Sequence, residues 1–327
     1  MESLTPSGTM IAMQYVKYGG PEKLRMQLAD IPSPHCRQVL IRVHATSVNP
    51  IDWKLRTGEF KWLFPQRFPV APGFDVAGEI VALGRSVKEL CVGQRVFARL
   101  DNMRGGAAAE FCVCGRDVVA PIPETMSYEE AAGLPLAGMT ALQGLRDQGR
   151  LQKNHRLLVV GASGGVGHYA VQIGKLLGAD VTAVSSQRNH AFVTRLGADR
   201  CIDYQKTSDF SGEEPYDVIL DCVGELGWSD VQPWMSKKGA FVSCLPRPSF
   251  FFRGFWCWLT SSQRCCPVIL DPKREDLTQL GQWVREGRLQ THVHQTLPLS
   301  ELSTAHELSQ SGRTVGKLII TLDEDEE

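Results

Sequence analysis

The run Gly161-Ala-Ser-Gly-Gly-Val-Gly167 has the residue types and spacing of a turn that receives phosphate. An apolar stretch, Leu157 to Val160, breaks into these glycines, and helical spacing follows at Val166, Ala170, Val171, Ile173, Leu176 and Leu177. Glycines let backbone N–H groups approach a pyrophosphate, and the helix N-terminus behind them adds unpaired amide donors and partial positive charge. Ser163, Gly164, Gly165, Val166 and Gly167 are therefore assigned to a dinucleotide.

The next strand, Val181 to Val184, ends where an NAD-binding chain places an acidic side chain for the ribose 2′-hydroxyl. Ser185 stands there instead, and Ser186, Arg188 and Asn189 follow with a hydroxyl, a guanidinium fork and an amide. That set suits a 2′-phosphate, so NADPH is expected over NADH. Glycines alone often mark a plain tight turn. Here strand, glycines, helix, second strand and phosphate-type loop occur in order, which favours the cofactor.

These residues need a scaffold, and 327 residues suffice for two domains with sizeable cores. From Ile11 to about Pro123 the chain reads as short strands punctuated by glycine and proline, with alternation in Val39-Leu-Ile-Arg-Val43. Ser127-Tyr-Glu-Glu130 is a capping box opening a helix toward Leu136, and a second helix is expected over Thr140 to Gln148. Strands at Leu157–Val160, Val181–Val184, Arg200–Ile202, Val218–Cys222 and Ala240–Cys244 then alternate with helices over 166–177, 189–196 and near 229–235. That order predicts an α/β doubly wound parallel sheet. A helix from Arg274 to Glu286 and a strand from Gly316 to Leu322 are expected to return to the first domain.

A formal net charge of −1 gives no global pull toward nucleic acid. The ten cysteines lack C-x-x-C spacing, which fits a reducing compartment. Cys112 and Cys114 read as strand packing, and His292-Val-His294 as a solvated strand pair rather than metal ligands. Residues 1–9 show neither a secretory signal nor the arginines of a transit peptide. The apolar run Phe250–Leu259, interrupted by Arg253, is about half the ~20 residues a membrane-spanning helix needs.

Several stretches together carry a family resemblance: Ser47-Val-Asn-Pro-Ile-Asp-Trp-Lys-Leu-Arg-Thr-Gly58, Pro72-Gly-Phe-Asp-Val-Ala-Gly78, Val92-Gly-Gln-Arg-Val96, Gly106-Ala-Ala-Ala-Glu-Phe111, Leu134-Pro-Leu-Ala-Gly-Met-Thr-Ala141 and Asp203-Tyr204. With the glycine turn, they make the chain resemble the zinc-free quinone oxidoreductase branch of the medium-chain dehydrogenases/reductases. Within it, Asn-Pro-x-Asp-Trp-Lys, Gly-Gly-Val-Gly-His-Tyr-Ala-Val-Gln and a long apolar insert resemble the plant chloroplast-envelope members. The resemblance implies a GroES-like β-rich catalytic domain over 1–125 and 269–327, a Rossmann NADPH-binding domain over 126–268, and an active site in the cleft between them. It places the chain in the cytoplasm or at the plastid envelope, as a homodimer with possible peripheral membrane contact.

The zinc branch of that superfamily has a cysteine, a Gly-His-Glu and four structural cysteines where this chain has Asn49 to Asp52 and Pro72-Gly-Phe-Asp75. No tetrahedral site is expected, so metal-free hydride transfer remains. Its acceptor is expected to be already electrophilic, a lipophilic quinone or an α,β-unsaturated carbonyl such as an enone, enal or oxylipin-type ketol. Asn49 is the first candidate for orienting substrate or nicotinamide, with Asp52 beside it and Lys54 or solvent as proton source. The competing reading of Asn49-Pro50-Ile51-Asp52 is a capped turn opening a short helix, with Lys54 and Arg56 solvated. Phe60 stands where some relatives carry a tyrosine. Tyr204 resembles the tyrosine flanking the adenosine phosphate, and Thr140, Cys222, Val223, Leu245 and Lys317 are cofactor-lining by position in the resemblance. Phe251 and Phe255, in the aromatic segment 248–259 flanked by Arg247 and Arg264, are expected at the substrate mouth or a dimer edge. The rival functional class is a catalytically weak NADPH-binding protein acting through membrane or protein contacts.

Overall fold

The computed structural model describes residues 6–245 and 261–322, and the chain forms two compact units. The first unit runs to Leu136 and resumes over Pro272–Gly287 and from Thr291, whereas the second takes Ala137–Asp271 and Arg288–Gln290. In the first unit β1 (Thr9–Gln14) and β2 (Arg25–Asp30) form a separate antiparallel pair. There follow β3 (Gln38–Val48), β4 (Asp75–Leu83), β5 (Arg95–Arg99), β6 (Phe111–Gly115) and β7 (Val119–Pro121). The second unit supplies β8 (Arg156–Val160), β9 (Asp180–Ser185), β10 (Arg200–Asp203), β11 (Tyr216–Asp221), β12 (Met235–Ser243) and β13 (Arg264–Pro267). The chain then returns to the first unit as β14 (Val293–Pro298) and β15 (Lys317–Thr321).

The first unit's main sheet runs β14-β15-β3-β4-β5-β7, with β6 also paired to β3. Alternation of the apolar positions read in β3 now has a partner surface: Val39, Ile41 and Val43 pack with Val76, Ile80, Val96 and Cys112 in one buried cluster. Burial pushes the Cys112 thiol up to about 12 and the Cys114 thiol well above its ordinary range, so both are inert strand packing. His294 is exposed on β14 and His292 just precedes it, and among the described residues no group of three His, Cys, Asp or Glu could hold a metal ion.

The second unit's sheet is parallel throughout, ordered β10-β9-β8-β11-β12-β13. Counted within the unit this is 3-2-1-4-5-6, the doubly wound dinucleotide-binding order, and the α/β expectation holds. The sixth strand, β13, was absent from the sequence reading. It is four residues long and carries Arg264 and Pro267, so neither length nor alternation marks it.

The boundary expected at 125/126 lies at 136/137. The reason is α2 (Tyr128–Gly133), which packs on β3, β4 and β15. Its capping box forms as read: Glu130 N–H donates to Ser127 Oγ and Ser127 N–H to Glu130 Oε2, both at 3.2 Å. The next helix, α3 (Pro135–Gln143), starts before the expected Thr140 and ends in a π-type turn over Gly144–Gln148. Arg288–Gln290 joins the second unit because the Gln172 side chain bonds both backbone groups of Gln290, at 3.0 and 2.9 Å.

Candidate active site and cofactor turn

In the first unit, the expected catalytic residues open α1 (Pro50–Thr57), whose N-cap is Asn49 in extended conformation. Proline at the first helical position and glycine in the left-handed region at Gly58 start and stop it. Asp52 is buried and spends both oxygens on backbone: Asn49 N–H reaches Oδ2 at 2.6 Å and Gly73 N–H reaches Oδ1 at 3.0 Å. The capped-turn reading therefore holds for Asp52, which fastens the helix start to the chain before β4. Burial, joined by the Asp75 carboxylate, pushes Asp52 up to about 7 against the pull of these two hydrogen bonds.

Asn49 does something else with its side chain. Its Nδ2 donates to Asp75 Oδ2 at 2.9 Å and to Ser47 Oγ at 3.3 Å, while its Oδ1 accepts from Lys317 Nζ at 2.6 Å. Asp75 also accepts from Ser47 Oγ at 2.6 Å and from Leu136 N–H at 2.8 Å. Lys317 Nζ lies 3.8 Å from Asp75 Oδ2. The result is a buried network of an amide, a hydroxyl, two carboxylates and an ammonium, held by β3, β4, α1 and β15. Burial pushes the Lys317 ammonium down from the lysine range, and Asp75 and Asp52 oppose that push.

Sequence reasoning missed Asp75. Its signal was an acid leading an otherwise apolar stretch, Asp75-Val-Ala-Gly78, which as an aspartate reads equally well as a turn residue before a strand. Lys54 lies outside the network: its Nζ is 3.1 Å from Glu59 Oε1 and above the rings of Trp53 and Phe60. Phe60 is half-buried in the turn after α1. Arg56 was expected to be solvated and is instead fully buried. Its Nε donates to His306 Nδ1 at 3.2 Å, and burial with the adjacent guanidinium pushes His306 down to about 3.

In the second unit, Gly161 closes β8 in the left-handed region, with φ 76°. A Cβ on Gly167 would collide with the Gly161 carbonyl oxygen, so only glycine lets α4 (Gly167–Leu176) start so close to the strand end. A Cβ on Gly164 would meet the Gly161 oxygen at 3.3 Å, and the Gly164 N–H donates to that same oxygen at 3.0 Å, so Gly164 builds the turn and the amides of Gly165, Val166 and Gly167 are left facing a ligand. Ser185 and Ser186 are buried at the end of β9, and Arg188 is exposed with no carboxylate partner among the described residues. Asn189 Nδ2 donates to Ser163 Oγ at 3.0 Å. These groups fit a phosphate-bearing nicotinamide dinucleotide: open amides at a helix N-terminus and an unpaired cation beyond the second strand.

Of the remaining expected lining residues, Tyr204, Cys222, Val223 and Leu245 follow strands of the parallel sheet, and Thr140 lies on a helix. Asp221, buried, accepts from Val223 and Gly224 N–H at 2.9 Å each and from Leu226 N–H at 3.3 Å, and so shapes the turn bearing Cys222 and Val223. Leu245 follows β12, where its Cβ would meet a Cβ on Gly224 at 2.6 Å. Tyr204 is half-exposed just after β10, and Thr140 is buried on α3. Phe251 and Phe255, with the whole aromatic segment, lie outside the described residues.

Comparison with known proteins agrees with this architecture. Residues 35–124 match the alcohol dehydrogenase GroES-like domain and residues 196–320 the zinc-binding dehydrogenase family. The chain is 36% identical to the chloroplast envelope quinone oxidoreductase homolog of Arabidopsis thaliana, over 95% of this chain and 98% of that protein. The chain belongs to the quinone oxidoreductase branch of the medium-chain dehydrogenases/reductases. A trans-enoyl reductase of Aspergillus terreus is 33% identical over 88% of this chain and 87% of its own length. The solved quinone oxidoreductase of Coxiella burnetii superposes with a TM-score of 0.87 at 32% identity, covering 97% of this chain and 100% of that one. Membership of this branch makes the chain an oxidoreductase that uses a nicotinamide cofactor. No helix among the described residues is long and apolar enough to cross a membrane.

Proposed function

We propose that this chain reduces quinones, or the C=C bond of α,β-unsaturated carbonyls, with NADPH and without a metal. The observation that carries the reading is the Asn49 network. It stands where the zinc branch has its first ligand, and its amide and Asp52 oxygens are already committed to hydrogen bonds within the chain. Groups held in this way are poorly disposed to build a Lewis-acid centre, which favours an acceptor that is electrophilic on its own. The relatives named quinone oxidoreductase and trans-enoyl reductase support the same class.

Bound NADPH would supply a hydride from its nicotinamide. The chain's part is to hold the pyrophosphate on the amides of Gly165, Val166 and Gly167, to meet a 2′-phosphate with Ser186, Arg188 and Asn189, and to supply donors where negative charge develops on the acceptor. In this reading the acceptor is small and lipophilic, the enzyme is a homodimer, and its plant relatives favour a plastid location.

The test is purified protein with NADPH against enones, long-chain enals, γ-ketols and quinones. Acceptor-dependent NADPH oxidation is expected in at least one class. Tight NADPH binding with no turnover in any class would instead favour a cofactor-binding protein acting through other contacts.

A further inference from the structure

We infer that Lys317 holds the proton that completes the reduction, with Asp75 as the positioning carboxylate that keeps it charged. This rests on the function proposed above and names the proton source that the sequence left open.

An ammonium has three N–H groups. Lys317 is 3% exposed and gives one of them to Asn49 Oδ1 at 2.6 Å. Asp75 Oδ2, at 3.8 Å, is close enough for charge attraction and too far for a hydrogen bond. No other acceptor for Nζ occurs among the described residues, so a buried cation is left with donors unmet, a costly arrangement unless an acceptor arrives from outside the chain.

The rival donors are occupied. Both N–H groups of the Asn49 amide go to Asp75 and Ser47, and Lys54 is paired with Glu59. Other charges around Lys317 leave the assignment standing. Asp75 on β4 and Asp52 on α1 act on it directly. From α2, packed on its stem at Gly133, Glu130 is turned to cap its own helix and Tyr128 stacks on His44. Just before β14, the His292 backbone carbonyl accepts from Lys317 N–H at 2.9 Å. Arg99 on β5 draws on the same two carboxylates.

The step balances. Hydride addition to the β-carbon of an enone leaves an enolate, and the enolate takes H⁺ from Lys317 Nζ. One N–H bond breaks, a neutral amine remains, and water returns the proton. Burial makes that proton easier to release, while Asp75 keeps the group charged beforehand.

Wild type, Lys317→Arg and Asp75→Asn are compared by kcat across pH, by NADPH affinity, and by NMR titration of labelled lysine side chains. Arginine keeps the charge and cannot release a proton at these pH values. Lys317→Arg is therefore expected to lose ~10²-fold in kcat with NADPH affinity retained. Asp75→Asn is expected to move both the Lys317 titration and the alkaline limb of kcat to lower pH. A Lys317→Arg enzyme with wild-type kcat, a Lys317 that titrates in the ordinary lysine range, or an Asp75→Asn variant with an unmoved titration would each overturn the assignment. Should Lys317→Arg fail to fold, the wild-type and Asp75→Asn titrations decide. Should wild type reduce no acceptor, the functional proposal falls, and the NMR arm still decides whether Asp75 and Lys317 form the charge pair.

Discussion

Asn189 Nδ2 donates to Ser163 Oγ at 3.0 Å, so the loop after the second parallel strand is tied to the glycine turn after the first. The residues expected to tell a 2′-phosphate from a 2′-hydroxyl are thereby held in register with those expected to take the pyrophosphate. Arg188, one position earlier, stays unpaired and exposed, available to an incoming phosphate.

Arg188→Ala is accordingly expected to weaken NADPH binding and leave NADH nearly unaffected. One charge-assisted phosphate contact is worth ~1.5–3 kcal/mol, roughly tenfold to a hundredfold in affinity. Calorimetric titration of both cofactors into both proteins checks this; an unchanged NADPH/NADH ratio would remove the phosphate assignment.

The two glycines of the turn separate folding from binding. Gly164→Ala brings its methyl to 3.3 Å from the Gly161 oxygen, a contact that a small shift relieves, so it should lose less Tm than Gly167→Ala while NADPH affinity falls where the phosphate approaches the backbone. Gly167→Ala drives a methyl into the Gly161 carbonyl and should cost ~1–3 kcal/mol of stability with or without cofactor. Thermal melts with and without NADPH distinguish the two. Equal Tm losses would mean that Gly164 is structural too.

Why the turn was legible and the Asn49 network was not comes down to range. The glycine turn, its helix and its second strand are contiguous, and each residue's role follows from neighbours within about thirty positions. Asn49, Asp75 and Lys317 meet only after β3, β4 and β15 pair, and the Asn49–Lys317 bond spans 268 positions. Local propensity reads Asn-Pro-x-Asp as a cap. That was right for Asp52, and it hid the fact that the Asn49 side chain faces elsewhere. Arg56 shows the same limit: its burial against His306 depends on contact between α1 and a later helix, α5 (Leu302–Gln310). Family resemblance marked Lys317 as cofactor-lining by position, and its contacts with Asn49 and Asp75 are what the proposed proton role is argued from.

The proposed metal independence can be tested on the same contacts. Asp52 has given both oxygens to backbone donors, and the Asn49 oxygen is held by an ammonium, which repels a cation. Purified protein should contain no stoichiometric zinc by elemental analysis, and dialysis against EDTA should leave NADPH oxidation unchanged. Tightly bound zinc whose removal abolishes activity would contradict this.

Asp52 gives the pH prediction. Its pKa of about 7 in the folded chain lies above the ~3.9 of an unfolded aspartate, so between those values the native state holds a proton that the unfolded chain has released. Stability from this group is therefore fully present below about pH 4 and is lost as pH rises toward 7, at no more than ~1.4 kcal/mol per pH unit for one proton. His306 acts in the opposite sense: pushed down to about 3, it stays neutral when folded and adds stability as pH rises toward its ordinary range. The total curve mixes the two, so the informative quantity is the difference between wild type and Asp52→Asn. The amide has one acceptor for two backbone donors, so the variant should be weaker by ~1–3 kcal/mol at acidic pH. That deficit should shrink as pH rises to about 7 and stay constant above it. Urea denaturation at intervals from pH 4.5 to 8.5 reads it directly, and a deficit independent of pH would show that Asp52 is ionised in the folded chain throughout.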